Sequence, residues 1–241
     1  MKVVDYITSK IERLPKGYVF TYSDFITEVN KKEAVIKALN RMVVSGKIAK
    51  LSKGKFYKPE PTPFGTLQPN QKQIVKDLLE NDGKLIGYIT GLGIYNQLGF
   101  TTQISNTIQI GRNETRPSLK RGIYNIRFIK QKNIINKDNI PLLQILDAIR
   151  FIKKIPDTSI ETSCKRLKTL IYKLDLQKQQ SIIRLSMKYP PATRALLGAL
   201  LEDLKSNVNL NELLNTLNPI TLYKLSLSPS ILSTSLNWNI K

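Results

Sequence analysis

The feature that most constrains the fold is a cluster of prolines near residue 60. The segment Pro59-Glu-Pro-Thr-Pro-Phe-Gly65 is followed, four residues later, by Pro69. Proline has no amide donor and a fixed φ angle, so this spacing disfavours a helix or a central strand. We therefore predict a proline-rich linker at residues 59–69, which separates an N-terminal domain, residues 1–58, from the rest of the chain.

Three helices are predicted in this N-terminal domain. Apolar residues at helical spacing indicate a first helix that ends near Pro15. Thr21 with Asp24 three residues later resembles a capping box and begins a second helix, which extends to about Val29. Asn30 can cap a third helix, which Gly46 ends. Residues 48–58 then predict two short strands around a turn. Three helices followed by a basic hairpin is the order of a winged helix-turn-helix.

The third helix divides into two faces when it is projected at about 100° per residue. One face is apolar and predicts the core contacts Val35, Ile36, Leu39, Met42 and Val43. The other face and the hairpin carry the predicted DNA-binding residues Lys31, Lys32, Ala34, Lys37, Ala38, Arg41, Lys50, Lys53 and Lys55. Small residues between cations let a helix approach the major groove, where arginine binds guanine bidentately and lysine neutralises phosphates. Solvated surface cations are the alternative.

The composition limits the chemistry. The chain has 38 Lys and Arg against 18 Asp and Glu, a net charge of +20, with no histidine and one cysteine. Without histidine, an imidazole metal site or a Ser-His-Asp triad is excluded. We predict no enzyme activity, no metal and no cofactor. No apolar run is long enough to span a membrane and no signal peptide is evident, so we expect a cytoplasmic protein without a membrane partner.

Beyond the prolines, the pattern predicts a second, larger domain at residues 70–205. Asn70 can cap a helix that ends near Glu80. A glycine-rich segment, two alternating strands from Ile104 to Ile110 and from Tyr124 to Phe128, and three helical stripes after Ile140 follow. The predicted fold class is therefore α+β. Residues 206–241 are treated as an extension without assigned structure.

Three further features of the second domain bear on function. The predicted partner-binding cations lie in the connection between the strands and on a later helix: Arg112, Arg116, Lys120, Arg121, Lys165, Arg166 and Lys168. They suit an acidic protein or nucleic acid, and a solvated loop is the alternative for the first four. The Gly91-Leu-Gly93 segment lacks the third glycine of a dinucleotide fingerprint, which favours close backbone packing at a helix start. Cys164 lies in an apolar stripe and predicts a core thiol.

Over about residues 1–205 the chain resembles AbiEi-type antitoxins, which combine an N-terminal winged helix with a larger C-terminal domain. The segments that carry this resemblance are Tyr18-Val-Phe-Thr-Tyr-Ser-Asp-Phe25, Ala38-Leu-Asn-Arg-Met-Val-Val-Ser-Gly-Lys-Ile48, Leu51-Ser-Lys-Gly-Lys-Phe-Tyr57, Gly87-Tyr-Ile-Thr-Gly-Leu-Gly-Ile-Tyr-Asn-Gln-Leu-Gly99 and Thr101-Thr-Gln103. The resemblance implies an antitoxin that represses its own operon and counteracts a nucleotidyltransferase-like toxin.

The function predicted from these observations is that of a DNA-binding autorepressor and antitoxin. Its expected partners are double-stranded promoter DNA with repeated half-sites, bound by a monomer or weak dimer, and a nucleotidyltransferase-like toxin. A stand-alone regulator whose C-terminal domain senses a ligand or partner is the alternative. A nucleic-acid enzyme is disfavoured because the sequence has no histidine and no converging acidic cluster.

Overall fold

The structure is a computed structural model that describes residues 3–26, 32–225, 227–228 and 230–241. The chain forms two compact units. The first comprises Met1–Asp77 with Leu119–Asn125, and the second comprises Leu78–Ser118 with Ile126–Lys241. Both helices and small antiparallel sheets are present, so the prediction of an α+β chain is confirmed. Among the described residues, no helix combines the length and apolar character that crossing a membrane requires.

The first unit begins with the predicted alternation of helices and short strands. Its elements are α1 (Val3–Glu12), β1 (Val19–Thr21), α2 (Ser23–Ile26), α3 (Lys32–Val44), β2 (Ala49–Ser52) and β3 (Lys55–Tyr57). The strands form an antiparallel sheet in the order β1-β3-β2, in which Tyr57 pairs with both Val19 and Ala49. The predicted end of the second helix at Val29 and the predicted cap Asn30 lie outside the described residues.

One apolar core holds this sheet against the helices. Its buried members come from every one of these elements except β2, and from the start of the hairpin: Ile7, Ile11, Phe20, Phe25, Val35, Ala38, Leu39, Met42, Ile48 and Phe56. The Phe20 ring lies edge-on to Phe25 and stacks with Phe56, at centroid distances of 5.7 and 6.3 Å. At the start of α2 the Asp24 carboxylate accepts the Thr21 amide at 2.6 Å, as the predicted capping box requires.

The prediction of an irregular linker at residues 59–69 is wrong. Strands β4 (Glu60–Thr62) and β5 (Gly65–Leu67) pair antiparallel, with Pro61 opposite Thr66. Proline is tolerated here because both strands of a two-stranded hairpin are edge strands, which leaves one side of each without ladder bonds. Gly65 supplies a φ of +113°, which an L-residue rarely adopts.

The helix predicted after Asn70 is present but broken. The Asn70 side chain accepts the Gln73 amide at 2.9 Å and caps α4 (Gln71–Ile74), and α5 (Lys76–Leu79) follows after Val75. In α5, Asp77 forms ion pairs with Arg121 at 2.5 Å and Lys55 at 3.0 Å. Burial raises the pKa of Asp77, but hydrogen bonds and charge from these two cations outweigh it and hold that pKa below its usual value.

The four-stranded sheet follows in the order β10-β11-β9-β8. The elements of this region are β6 (Glu80–Asn81), β7 (Lys84–Leu85), β8 (Gly87–Thr90), α6 (Leu92–Gln97), β9 (Thr107–Arg112), β10 (Leu119–Arg121) and β11 (Tyr124–Lys130). β8 and β9 pair antiparallel from Gly87 opposite Arg112 to Thr90 opposite Gln109. The two predicted strands correspond to β9 and β11, although Ile104 lies before β9 and is exposed.

Helices dominate the rest of the second unit. They are α7 (Asn139–Arg150), α8 (Ile160–Tyr172), α9 (Leu176–Ser186), α10 (Pro191–Asp203) and α11 (Asn211–Asn215), with 3₁₀ turns at Ile152–Lys154 and Ser235–Trp238. The three predicted apolar stripes lie in α7 and the 3₁₀ turn after it, in α8 and in α10, and their residues are buried or half-buried. The stripes did not predict α9.

Treating residues 206–241 as an extension is also wrong, because this segment belongs to the core of the second unit. Leu232, Trp238 and Ile240 are buried in it. The Trp238 ring packs against Gly198 of α10, where a side chain would collide with it. The indole nitrogen donates to Glu202 at 2.5 Å, and Asp203 accepts the Ser233 hydroxyl at 2.9 Å.

A ring of hydrogen bonds crosses the centre of the second unit. Gln131 Nε2 donates to the hydroxyl oxygens of Tyr88 and Tyr189, at 2.9 and 2.8 Å. These hydroxyls donate to the two carboxylate oxygens of Asp147, at 2.7 and 2.9 Å, and Thr90 adds a third donor at 2.9 Å. Burial raises the pKa of Asp147 to about 6, although the three hydroxyl donors and the charge of Arg150 oppose the change.

Candidate nucleic-acid interface

Helix α3 has one buried and one exposed side, as its pattern predicts. Val35, Leu39 and Met42 are buried in the first unit's core. Ile36 and Val43, predicted to be core residues, are half-buried, and so is Ala34 on the predicted DNA face. The predicted cations Lys32, Lys37 and Arg41 are exposed. Lys31 lies outside the described residues.

The assignment of Ala38 to the exposed face is wrong. Its residue exposure is 1%, and it belongs to the first unit's core. Ala38 lies three residues after Val35 and four before Met42, so it borders the buried stripe on the helix surface. The methyl group is short enough to be covered completely there, so Ala38 cannot contact a base edge.

The exposed side of α3 also contains residues that the sequence reasoning missed. Asn40 is exposed between Lys37 and Arg41, and an asparagine amide can pair with adenine in the major groove. Lys47 is exposed just after the helix. Glu33, also exposed, puts one negative charge in the first turn. The helical projection places Asn40 near the same face as Lys37 and Arg41, but an interpretation limited to small residues and cations does not include it.

The hairpin exposes two of its three predicted cations. Lys50 lies in β2 and Lys53 in the turn, where Gly54 has a φ of +73°. The third, Lys55, differs from them because its ammonium forms an ion pair with Asp77 at 3.0 Å and its side chain is only 17% exposed. Asp77 also pairs with Arg121, so this group of three side chains keeps a net charge of +1, and the ion pair holds the Lys55 ammonium in place.

The exposed cations of α3 and the hairpin are called the basic face: Lys32, Lys37, Arg41, Lys50 and Lys53. Within the described part of the chain, no ion pair engages any of them. The Lys32 ammonium lies 5.2 Å from the centre of the Tyr22 ring. The charge of this face is therefore available to an anionic partner.

Four of the seven predicted partner-binding cations are buried or bonded within the fold. Arg112 and Arg121 are buried, and Arg121 is bound to Asp77 and to the Ile74 carbonyl. Arg166 donates to the Leu98 carbonyl, and Lys168 pairs with Asp203 at 2.5 Å. The sequence counts these as surface charges, but long cationic side chains also satisfy carbonyls and carboxylates inside a fold.

Three cations of that predicted surface remain exposed: Arg116, Lys120 and Lys165. Arg116 lies in the connection after β9, Lys120 lies in β10, and Lys165 lies on α8. They come from three separate parts of the chain, and their role in partner binding stays a prediction.

Two predictions about single residues are confirmed. Cys164 is fully buried, and burial raises the pKa of its thiol to about 12. Gly91 begins α6 with a φ of +77°, and an added Cβ would lie 2.9 Å from Gln109 Cβ. The glycine is therefore required by close packing at the helix start.

Comparison with known proteins identifies the family of the chain. The family described as "Family of unknown function (DUF6088)" matches residues 6–182. The chain belongs to this family. The DUF6088 region contains α3 and the hairpin and ends within α9. The match therefore covers the basic face, whereas α10 and the residues after it lie beyond the match.

A similar fold occurs among solved structures. "Crystal structure of RV2827C protein from Mycobacterium tuberculosis" is similar to the chain, with a TM-score of 0.62 and 12% identity, over 94% of this chain and 86% of that one. At this identity the likeness concerns the fold alone. A search of curated protein sequences found no match.

Proposed function

We propose that this DUF6088 protein is a DNA-binding transcriptional autorepressor whose first unit is a winged helix-turn-helix. The observation that carries the proposal is the basic face, whose cations are exposed and have no ion pairs within the described residues. The order α1-β1-α2-α3-β2-β3 agrees with this class of domain. Helix α3 is the proposed recognition helix and the β2-β3 hairpin is the proposed wing.

The exposed side of α3 has the chemistry that base recognition needs. Arg41 can donate two hydrogen bonds to guanine, and Asn40 can pair with adenine. Lys37 on α3 and Lys50 and Lys53 on the hairpin suit phosphate oxygens, which position a protein on the duplex without reading sequence. Repeated half-sites, bound by a dimer or two cooperating monomers, follow from the usual operators of such domains.

The proposed second role is that of a non-enzymatic antitoxin in the cytoplasm. It rests on the resemblance to AbiEi-type antitoxins, and the proposed partner is a nucleotidyltransferase-like toxin from the same operon. Because four of the seven predicted partner-binding cations are buried or bonded within the fold, we do not assign the toxin to those residues.

Fluorescence anisotropy with a labelled duplex from the chain's own promoter tests DNA binding. Lys37→Ala/Arg41→Ala should weaken binding by about tenfold to several hundredfold, since a bidentate arginine contributes about 1–3 kcal/mol and a phosphate contact adds to it. The slope of log affinity against log salt should fall by about 2 if both cations release counterions, and by about 1 if Arg41 contacts only bases.

The matched control is Arg13→Ala/Lys72→Ala, which removes the same charge from exposed positions of the first unit outside the basic face. It should weaken binding by less than about threefold, as expected of distant exposed charges. Equal affinity of the test and control proteins would refute the interface, provided that both melt at the wild-type temperature.

Growth tests separate the antitoxin from a stand-alone regulator. Co-expression with a neighbouring nucleotidyltransferase-like gene should restore growth that the toxin alone arrests. A chain that binds its promoter but leaves growth arrested would support the stand-alone regulator.

A further inference from the structure

A basic cavity lies in the second unit, away from the cations that the sequence singles out. It has a volume of about 450 Å³, within the usual range for small-ligand sites. Four of its lining residues are cations, Arg150, Lys153, Lys154 and Lys224, and none of the residues that line it is acidic. All four residues are exposed, and in the part of the chain that the structure describes none of them forms an ion pair.

These cations come from two distant parts of the chain. Arg150 is the last residue of α7, and Lys153 and Lys154 lie in the 3₁₀ turn after it, where cations also complement the helix dipole. Lys224 belongs to the C-terminal segment, so the dipole of α7 does not explain why a cation is at this position. Its position is fixed because the Lys153 ammonium donates to the Lys224 carbonyl. Like charges gathered around one concave site repel each other, and a bound anion relieves that repulsion.

A buried hydroxyl supplies the second observation. Tyr223 lines the cavity and is only 8% exposed, yet its hydroxyl has no hydrogen-bond partner among the described residues. A buried polar group without a partner costs about 1–3 kcal/mol, and native proteins nearly always satisfy such groups. The hydroxyl is closed off from solvent, so an acceptor oxygen on a ligand would satisfy this donor only if the side chains that cover it move aside.

The wall that carries Tyr223 is held by the backbone. The Tyr223 amide donates to the Asn239 carbonyl at 2.7 Å, and its carbonyl accepts the Lys241 amide at 3.0 Å. The lining also includes Thr193 in the first turn of α10, where the dipole of a 13-residue helix adds positive potential. Backbone hydrogen bonds therefore hold the segment that carries Tyr223 in place beside the cavity.

We propose that this cavity binds a small polyphosphorylated ligand, with phosphate oxygens between the four cations. Movement of the covering side chains on binding would let one of those oxygens accept a hydrogen bond from the Tyr223 hydroxyl. The concave shape and the volume of about 450 Å³ favour a small ligand over a flat acidic protein surface or a duplex. The ligand source is either a nucleoside triphosphate or inorganic polyphosphate. This site is independent of the proposed DNA contact, so Lys37→Ala/Arg41→Ala should leave it unchanged.

Isothermal titration calorimetry on the full chain tests the proposal, with inorganic triphosphate, ATP, GTP and adenosine as probes. Triphosphate or the nucleotides should bind, and adenosine should not. Comparable affinity for triphosphate and ATP identifies the phosphate chain as the recognised group, whereas tighter ATP or GTP binding identifies a nucleotide. Binding should weaken as salt rises, as expected for exposed charges.

Variants assign the binding to this cavity. Tyr223→Phe should weaken binding by roughly tenfold, the effect of one hydrogen bond to a charged acceptor, without lowering the melting temperature. Lys154→Ala/Lys224→Ala should weaken it by about tenfold or more. The matched control, Lys165→Ala/Lys173→Ala, removes equal charge from exposed positions of the second unit and should change affinity by less than about threefold.

Three results would overturn the proposal. The first is no heat of binding from triphosphate, ATP or GTP at low salt. The second is equal binding by wild type, Tyr223→Phe and Lys154→Ala/Lys224→Ala. The third is binding of a single-stranded oligonucleotide that depends on these residues while triphosphate does not bind.

Discussion

Changing Asp147 to asparagine should remove one source of pH dependence from the stability of the second unit. The carboxyl is fully buried and accepts hydrogen bonds from the hydroxyls of Tyr88, Thr90 and Tyr189. Burial raises its pKa from 3.8 to about 6. Because the folded chain binds this proton more tightly than the unfolded chain, the stabilisation is full below the unfolded pKa of 3.8 and is lost as pH rises through about 6.

The size of the effect follows from the two pKa values. Each unit of difference corresponds to about 1.4 kcal/mol, and two units therefore give about 3 kcal/mol in total. Between about pH 4 and pH 7, wild type should lose about 2 kcal/mol relative to Asp147→Asn. Other carboxyls titrate in both proteins, so the difference between the two unfolding free energies isolates this proton.

Urea unfolding, followed by circular dichroism at several pH values, measures this difference. Asp138→Asn serves as the control, because Asp138 is exposed and its side chain forms no capping hydrogen bond. Its difference from wild type should stay within about 0.5 kcal/mol over the same range. If Asp147→Asn and wild type also follow parallel curves within that margin, the reasoning from burial is refuted.

Two further predictions concern the core of the second unit. Trp238→Ala should lower the free energy of unfolding by about 3–5 kcal/mol, because a buried ring packed on Gly198 is removed, whereas exposed Leu236→Ala should cost less than about 0.5 kcal/mol. Similar losses from both, measured by urea unfolding, would contradict the packing of this segment. The Cys164 thiol should resist a disulfide reagent at neutral pH until denaturant unfolds the chain, since burial raises its pKa to about 12. Rapid reaction of the folded protein would show that the thiol is accessible.

Much of the local structure could be predicted from the sequence. Helical spacing identified α1, α3, α7, α8 and α10, because burial of one face imposes a period of 3.6 residues. The turn between β2 and β3 and the caps at Thr21 and Asn70 were also predicted, since such signals depend on neighbouring residues. Helix α9 was missed because its buried residues fall close together near its end.

The proline segment was the clearest failure of local reasoning. Proline excludes ladder bonds only on the side where its amide would donate, so an edge strand accepts it. Whether residues 60–67 form a hairpin depends on the pairing of the two strands, which no proline count contains. The tail was misjudged for a similar reason, because Leu232 and Trp238 are core residues only in the presence of α10.

For the candidate sites, the sequence alone determined the residue types: a large excess of cations, no imidazole, and an α3 with one charged and one apolar side. The tertiary structure decided which cations are available. It left Lys37 and Arg41 exposed, engaged Lys55 and Arg121 with Asp77, and gathered Arg150 and Lys224 around one cavity. Net charge is a sum over residues, whereas binding depends on which charges remain unpaired and where they meet, and only packing fixes that.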